Sequence, residues 1–97
     1  MVAGYNSKVV RGVQEQLSKL DQLLEFLAGA PEDEESRNAH EHVQGARTYL
    51  LGAMPEEFEQ SLRMAEEAIS GMALLAVRTD AERLLREVRE AHRVPVM

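Results

Sequence analysis

Met72-Ala73-Leu74-Leu75-Ala76-Val77 is an apolar run set inside a longer helical pattern from Pro55 to Arg93. Pro55 suits a first helical position, where its missing N–H costs nothing and its φ is already right. Glu56 and Glu57 follow, placing negative charge at the positive end of the helix dipole. Apolar residues then recur at Phe58, Leu62, Ala65, Ile69 and Met72 in steps of four and three, as in a helix with one buried stripe. Beyond Ile69 the stripe passes to Ala73, Val77, Ala81, Leu84, Val88 and Ala91. Successive steps of four around Val77 resemble a stutter, which locally unwinds a left-handed supercoil.

A helix that is apolar all round must be covered all round. Two solutions exist for residues 72–77. Either a partner chain helps to cover one continuous helix, or the chain breaks nearby and folds back. Thr79-Asp80-Ala81-Glu82 has the pattern of a capping box, with Thr79 as cap and Glu82 three residues on, and marks the place for a break. No Gly or Pro accompanies it, so the pattern predicts one continuous helix over 55–93. Ser70 and Gly71, with Ala68, Ala73 and Ala76, leave room for a close helix crossing.

Working outward, residues 1–7 read as a loose N-terminus, with Asn6 or Ser7 able to cap a first helix over 8–29. Val10, Val13, Leu17, Leu20, Leu24 and Leu27 alternate by three and four, a heptad seam of the coiled-coil type. Val9, Leu23 and Phe26 widen it, and Glu15 with Lys19 forms a favourable i,i+4 pair. Gly29 and Pro31 end the helix. Pro31 can open a second helix over 31–53, with Glu32, Asp33, Glu34 and Glu35 in its first turn, where the dipole favours them. Its stripe of Ala39, Val43, Ala46, Leu50 and Ala53, with Tyr49 beside it, is narrow and Ala-rich, which allows close packing. Gly52-Ala53-Met54-Pro55 makes a tight connection. Short connections imply antiparallel neighbours. A continuous third helix would overhang the first two by about 20 Å, leaving Leu84, Leu85 and Val88 to be covered by a second copy. Residues 94–97 read as a tail.

Composition bounds the chain to one small domain, residues 1–97, whose core is marginal unless it packs well or oligomerises. No cysteine is present, which removes disulfides and thiolate zinc sites and fits a cytoplasmic location. The first residues lack the pattern of a signal peptide, and no apolar run is long enough to cross a bilayer. A net charge of −6 opposes non-specific nucleic-acid binding. The arginines at 78, 83, 86, 89 and 93 read as a solvated face: near a helix C-terminus they complement the dipole, and Arg83–Glu87 and Glu82–Arg86 are i,i+4 pairs.

Chemistry-bearing residues are few. His40 and His42 stand two apart, about 200° around a helix, so they do not share one metal. The segment Ala39-His40-Glu41-His42-Val43-Gln44-Gly45 loosely resembles the phosphorylated helix of histidine-phosphotransfer domains, which are four-helix bundles. In that family the His precedes a Lys-Gly pair at fixed spacing. Here Gln44 stands where Lys would, and Gly45 follows His42 by three and His40 by five, neither of which matches. The resemblance implies a phosphocarrier using His40 or His42, as an alternative. The serines have no evident paired base, and no Gly-rich phosphate loop occurs. Tyr49, Met64 and Met72 raise a further alternative, a bundle with a small apolar ligand cavity.

The expectation is an all-α, antiparallel bundle of three helices, the third long, with a break near Thr79 into a fourth as the alternative. A homodimer is expected through Ile69, Met72, Leu74, Leu75, Val77, Leu84, Leu85 and Val88. The expected function is non-enzymatic: an adaptor, regulator or assembly subunit that binds a protein partner and needs no cofactor, metal, nucleic acid or membrane.

Overall fold

In a computed structural model, which describes residues 3–31 and 33–92, the chain forms α1 (Ala3–Gly29), α2 (Glu34–Leu51), α3 (Pro55–Ser70) and α4 (Leu75–His92), with no strand among the described residues. The all-α expectation holds. The expectation of three helices with an unbroken third is corrected, and the break falls at residues 71–74 rather than at Thr79, which is exposed inside α4. The N–H groups of Gly71 and Met72 donate to the carbonyls of Ala68 and Ile69, the tighter bonding with which helices often end. The Met72 side chain enters the core, and the Ala73 N–H donates to Oδ2 of Asp33 at 3.4 Å. The Leu74 carbonyl then accepts the first bond of α4, from the Arg78 N–H at 2.9 Å.

The physical reason for the break is a contest of magnitudes. Interrupting a helix forfeits a few backbone hydrogen bonds, each about 0.5–1.5 kcal/mol net. Gly71 lowers that cost, being about 1 kcal/mol poorer than Ala inside a helix. Folding back buries Ala81, Leu84, Leu85 and Val88 on the rest of the chain, and each large apolar side chain so buried contributes about 1.5–3 kcal/mol. Burial wins.

The other helix ends also differ in detail from the sequence reading. The α1 helix begins at Ala3, before the expected start at Lys8, so Asn6 and Ser7 lie within it. Met1, Val2, Glu32, Arg93 and the expected tail 94–97 lie outside the described residues. Pro31 precedes α2 rather than opening it. Asp33 is the N-cap, its side chain accepting from the Glu35 N–H at 3.2 Å, with Glu34 and Glu35 in the first turn. At the other end of α2, the Met54 N–H donates to the Tyr49 carbonyl at 2.9 Å and the Ala53 N–H to the Leu50 carbonyl at 3.2 Å. That pair of bonds is a Schellman motif. Its left-handed position is held by Ala53, at φ 56°, and not by the adjacent Gly52.

The helices form a ring in which each packs on its sequence neighbours and α4 closes onto α1; among the described residues the diagonal pairs make no close backbone approach. Cross-links fix the directions. Gly45 faces Ser61 and Glu35 lies beside Gly71, so α2 and α3 are antiparallel. Asp21 meets Arg47 across α1 and α2, Glu59 meets Arg89 across α3 and α4, and Lys19 meets Glu87 across α1 and α4. The result is an up-down-up-down four-helix bundle. Its core is Leu20, Leu23 and Leu27 of α1, Ala39, Val43 and Ala46 of α2, Phe58, Leu62, Ala65 and Ile69 of α3, and the α4 set above. The buried face of α1 runs through Gln16, Leu20, Leu23 and Leu27, whereas Val13, Leu17 and Leu24 of the expected heptad seam are half-buried. The face is rotated because α1 packs on α2 and α4 together, not along one two-stranded seam. No helix among the described residues is long and apolar enough to cross a membrane.

Candidate interaction surface

The residues expected to form a dimer seam divide into two groups. Ile69, Met72, Leu84, Leu85 and Val88 are buried within the chain's own core. Leu74 and Leu75 stay 51 % and 64 % exposed, and Val77 is half-buried. The apolar run is therefore not covered all round: of its residues, only Met72 is fully buried. Leu74 and Leu75 sit where α4 begins, between the turn that ends α3 and the connection from α1 to α2. Exposed Pro31, Ala73 and Ala76 belong to the same end of the bundle. A shallow recess of about 230 Å³ opens there, lined by Pro31, Asp33, Ser36, Met72, Ala73, Leu74 and Val77.

This end is chemically plain. Of the residues that line the recess, Asp33 alone is titratable, and both its carboxylate oxygens accept backbone N–H groups, Oδ1 from Glu35 and Oδ2 from Ala73. The α4 N-terminus begins at Leu74, whose side chain has no oxygen to act as a cap, and its first turn holds no acidic residue. Such a surface can hold apolar side chains of a partner but offers no group for bond-making chemistry. Leu51 and Met54 are exposed at the opposite end, and Met64 is exposed midway along α3.

The remaining candidates lie in different parts of the bundle. His40 lines an open recess beside the α1–α2 connection, where Asp33, Glu34 and Glu41 line it too. The guanidinium of Arg37 lines the same recess, so both signs of charge are present there. His42 is half-buried elsewhere on α2. Tyr49 and Met64 share a recess with Glu57, Gln60 and Ser61, but Met72 belongs to the opposite end, so the three do not line one apolar cavity. Among the described residues no three His, Cys, Asp or Glu side chains are placed to hold a metal ion.

The charged residues act across helices more than along them. Lys19 Nζ donates to Glu87 Oε1 at 3.2 Å, reaching α4 from α1, and Arg83 bonds Glu87 from the other side, also at 3.2 Å. The hydrogen bond from Lys19 holds the Glu87 carboxyl below its ordinary value; partial desolvation opposes this, and the charges of Lys19 and Arg83 reinforce it. Arg89 Nη1 donates to Glu59 Oε1 at 2.6 Å and Arg89 Nε lies 4.0 Å from Glu66 Oε2, linking α4 to α3. Sequence reasoning missed Gln16, which is 2 % exposed and whose Nε2 donates to the Val88 carbonyl at 3.5 Å. Its place one step before the Leu20–Leu23–Leu27 stripe was the available signal. Compared with protein-family models, with curated proteins and with solved structures, the chain matches none.

Proposed function

We propose that this chain is a non-enzymatic interaction protein, an adaptor, regulator or assembly subunit of the cytoplasm, which self-associates and meets its protein partner through apolar helical surface. The observation that carries the reading is the exposure of two adjacent leucines, Leu74 and Leu75, where α4 begins. Adjacent exposed leucines among exposed alanines are the kind of contiguous apolar surface that marks interaction sites. The test is Leu75→Glu with light scattering on both chains. In the single bundle a Glu at this first position of α4 is favoured by the helix dipole, so the fold is retained. The expected result is a self-associating parent and a monomeric variant with an undiminished melting temperature. The same mass for both chains would overturn the reading. A phosphocarrier on His40 or His42 competes with it, and acid-labile phosphate that disappears in the His40→Ala and His42→Ala chains would decide for that instead.

A further inference from the structure

The turn at 71–74 is poorly defended against straightening. Apart from Ile69, Ser70, Gly71 and Val77, residues 68–78 are strong helix formers (Ala, Met, Leu and Arg), with no proline. The residue before helix α4 is Leu74, whose side chain cannot accept a capping hydrogen bond. One side chain from outside the turn bonds its backbone, Asp33 to the Ala73 N–H at 3.4 Å. The seam this turn connects, α3 against α4, is the sparsest of the four. If residues 71–74 become helical, α3 and α4 join into one rod, and α4 leaves the α1 of its own chain. The core stripe of Ala81, Leu84, Leu85 and Val88 is then uncovered. Only a surface of the same shape as α1 can take it back, and a second copy of the chain supplies one.

Resting on the self-association proposed above, we propose that the dimer is domain-swapped: α3 and α4 form one continuous helix, and each α4 packs on α1 of the other copy. The contacts of α4 with α1 and α3 re-form between chains, including Lys19–Glu87 and Arg89–Glu59, and those of the turn itself are given up. The two straightened segments run antiparallel past each other at the two-fold axis. They carry Ala73, Leu74, Leu75 and Ala76, which are exposed in the single bundle, and this crossing becomes new apolar contact. The swap thus explains why leucines lie open at a helix junction and why the sequence pattern runs unbroken through it.

The chain has no cysteine, so Glu56→Cys with Glu90→Cys gives two unique positions for spin labels. In the closed bundle they lie at one end, near the Glu59–Arg89 bond. In the swapped form 34 residues of helix separate them, about 50 Å. Labelled chain is unfolded with excess unlabelled chain and refolded, so that only intrachain distances register, and the dimer fraction is isolated by size. A distance near 50 Å in that fraction is the expected result. A dimer with the short distance of the monomer overturns the swap and leaves self-association standing; a chain that stays monomeric at its highest soluble concentration overturns both. Gly71→Ala separates them again. Its added Cβ would meet only the end of the flexible Glu35 side chain, at 3.2 Å, and it favours the continuous helix about fivefold per chain. The dimer fraction should rise accordingly; an unchanged or smaller fraction overturns the swap.

Discussion

Asp33 is the residue on which two connections depend. One carboxylate oxygen caps α2 and the other holds the Ala73 N–H of the α3–α4 turn. Removing a cap costs about 0.5–2 kcal/mol. Asp33→Ala should therefore lower stability by about 1–2 kcal/mol in denaturant melts. Asp33→Ser, which keeps the cap but is too short to reach Ala73, should lose less; equal losses would show that the cap contributes nothing, and no loss in the Ser variant that the bond to Ala73 contributes nothing. Ala53 is the converse case. A residue with a Cβ at φ 56° carries strain that glycine does not, so Ala53→Gly should raise stability by up to about 1 kcal/mol despite the added freedom of the unfolded chain. A lower melting temperature would contradict the Schellman assignment. Neither residue was legible in this role. Asp33 stood in a run of acidic residues that all suit a first turn, and Gly52 is the residue that sequence alone assigns to a left-handed position.

Among the elements, α4 shows how a helix is held to its neighbours. Apolar contact fixes it on α1, and Glu87 lies between Lys19 and Arg83 at the edge of that seam. Because the folded-state pKa of Glu87 is lowered, its contribution is present above the ordinary carboxylate value and is lost as pH falls through the folded value. Melts of the parent and of Glu87→Gln should differ by a constant amount near neutral pH and converge on acidification. A gap that widens as pH falls would reverse the assignment. The stripes on α2 and α3 were legible because their periods are regular: Ala39, Val43 and Ala46, then Phe58, Leu62, Ala65 and Ile69, are all buried, whereas Leu50 is half-buried and Ala53, expected in the α2 stripe, is exposed past the helix end. The face of α1 was misjudged by a rotation, since a polar residue, Gln16, occupies a core position that periodicity assigns to apolar side chains.

At the scale of the molecule, the radius of gyration is 14.1 Å, above the about 12.5 Å of a compact chain of this length. The 27-residue α1 outruns its 18-residue neighbours α2 and α4 and elongates the whole. One core cluster draws on every helix, so the chain should unfold as a single cooperative unit. Leu62, 1 % exposed at the middle of α3, tests this. Leu62→Ala should cost about 2–5 kcal/mol, a large part of the 5–15 kcal/mol typical of a small domain. Helix content and core probes should shift together. Separate transitions would mean that the α2–α3 hairpin and the α1–α4 pair are held independently.

The sequence by itself determined that the chain is helical, which faces of α2 and α3 are buried, where Pro31 and Pro55 separate helices, and that no residue cluster announces catalysis. These are local properties, set by periodicity and by the geometry of Pro and Gly within a few residues. Tertiary structure decided where the long pattern from Pro55 onward breaks. Over residues 71–77 the local preference between a turn and a continued helix is about 1 kcal/mol, too small to settle the matter. What settles it is burial of the α4 stripe on α1, between residues as distant in sequence as Gln16 and Val88. That interaction is several times larger, and it exists only once the chain has folded back on itself.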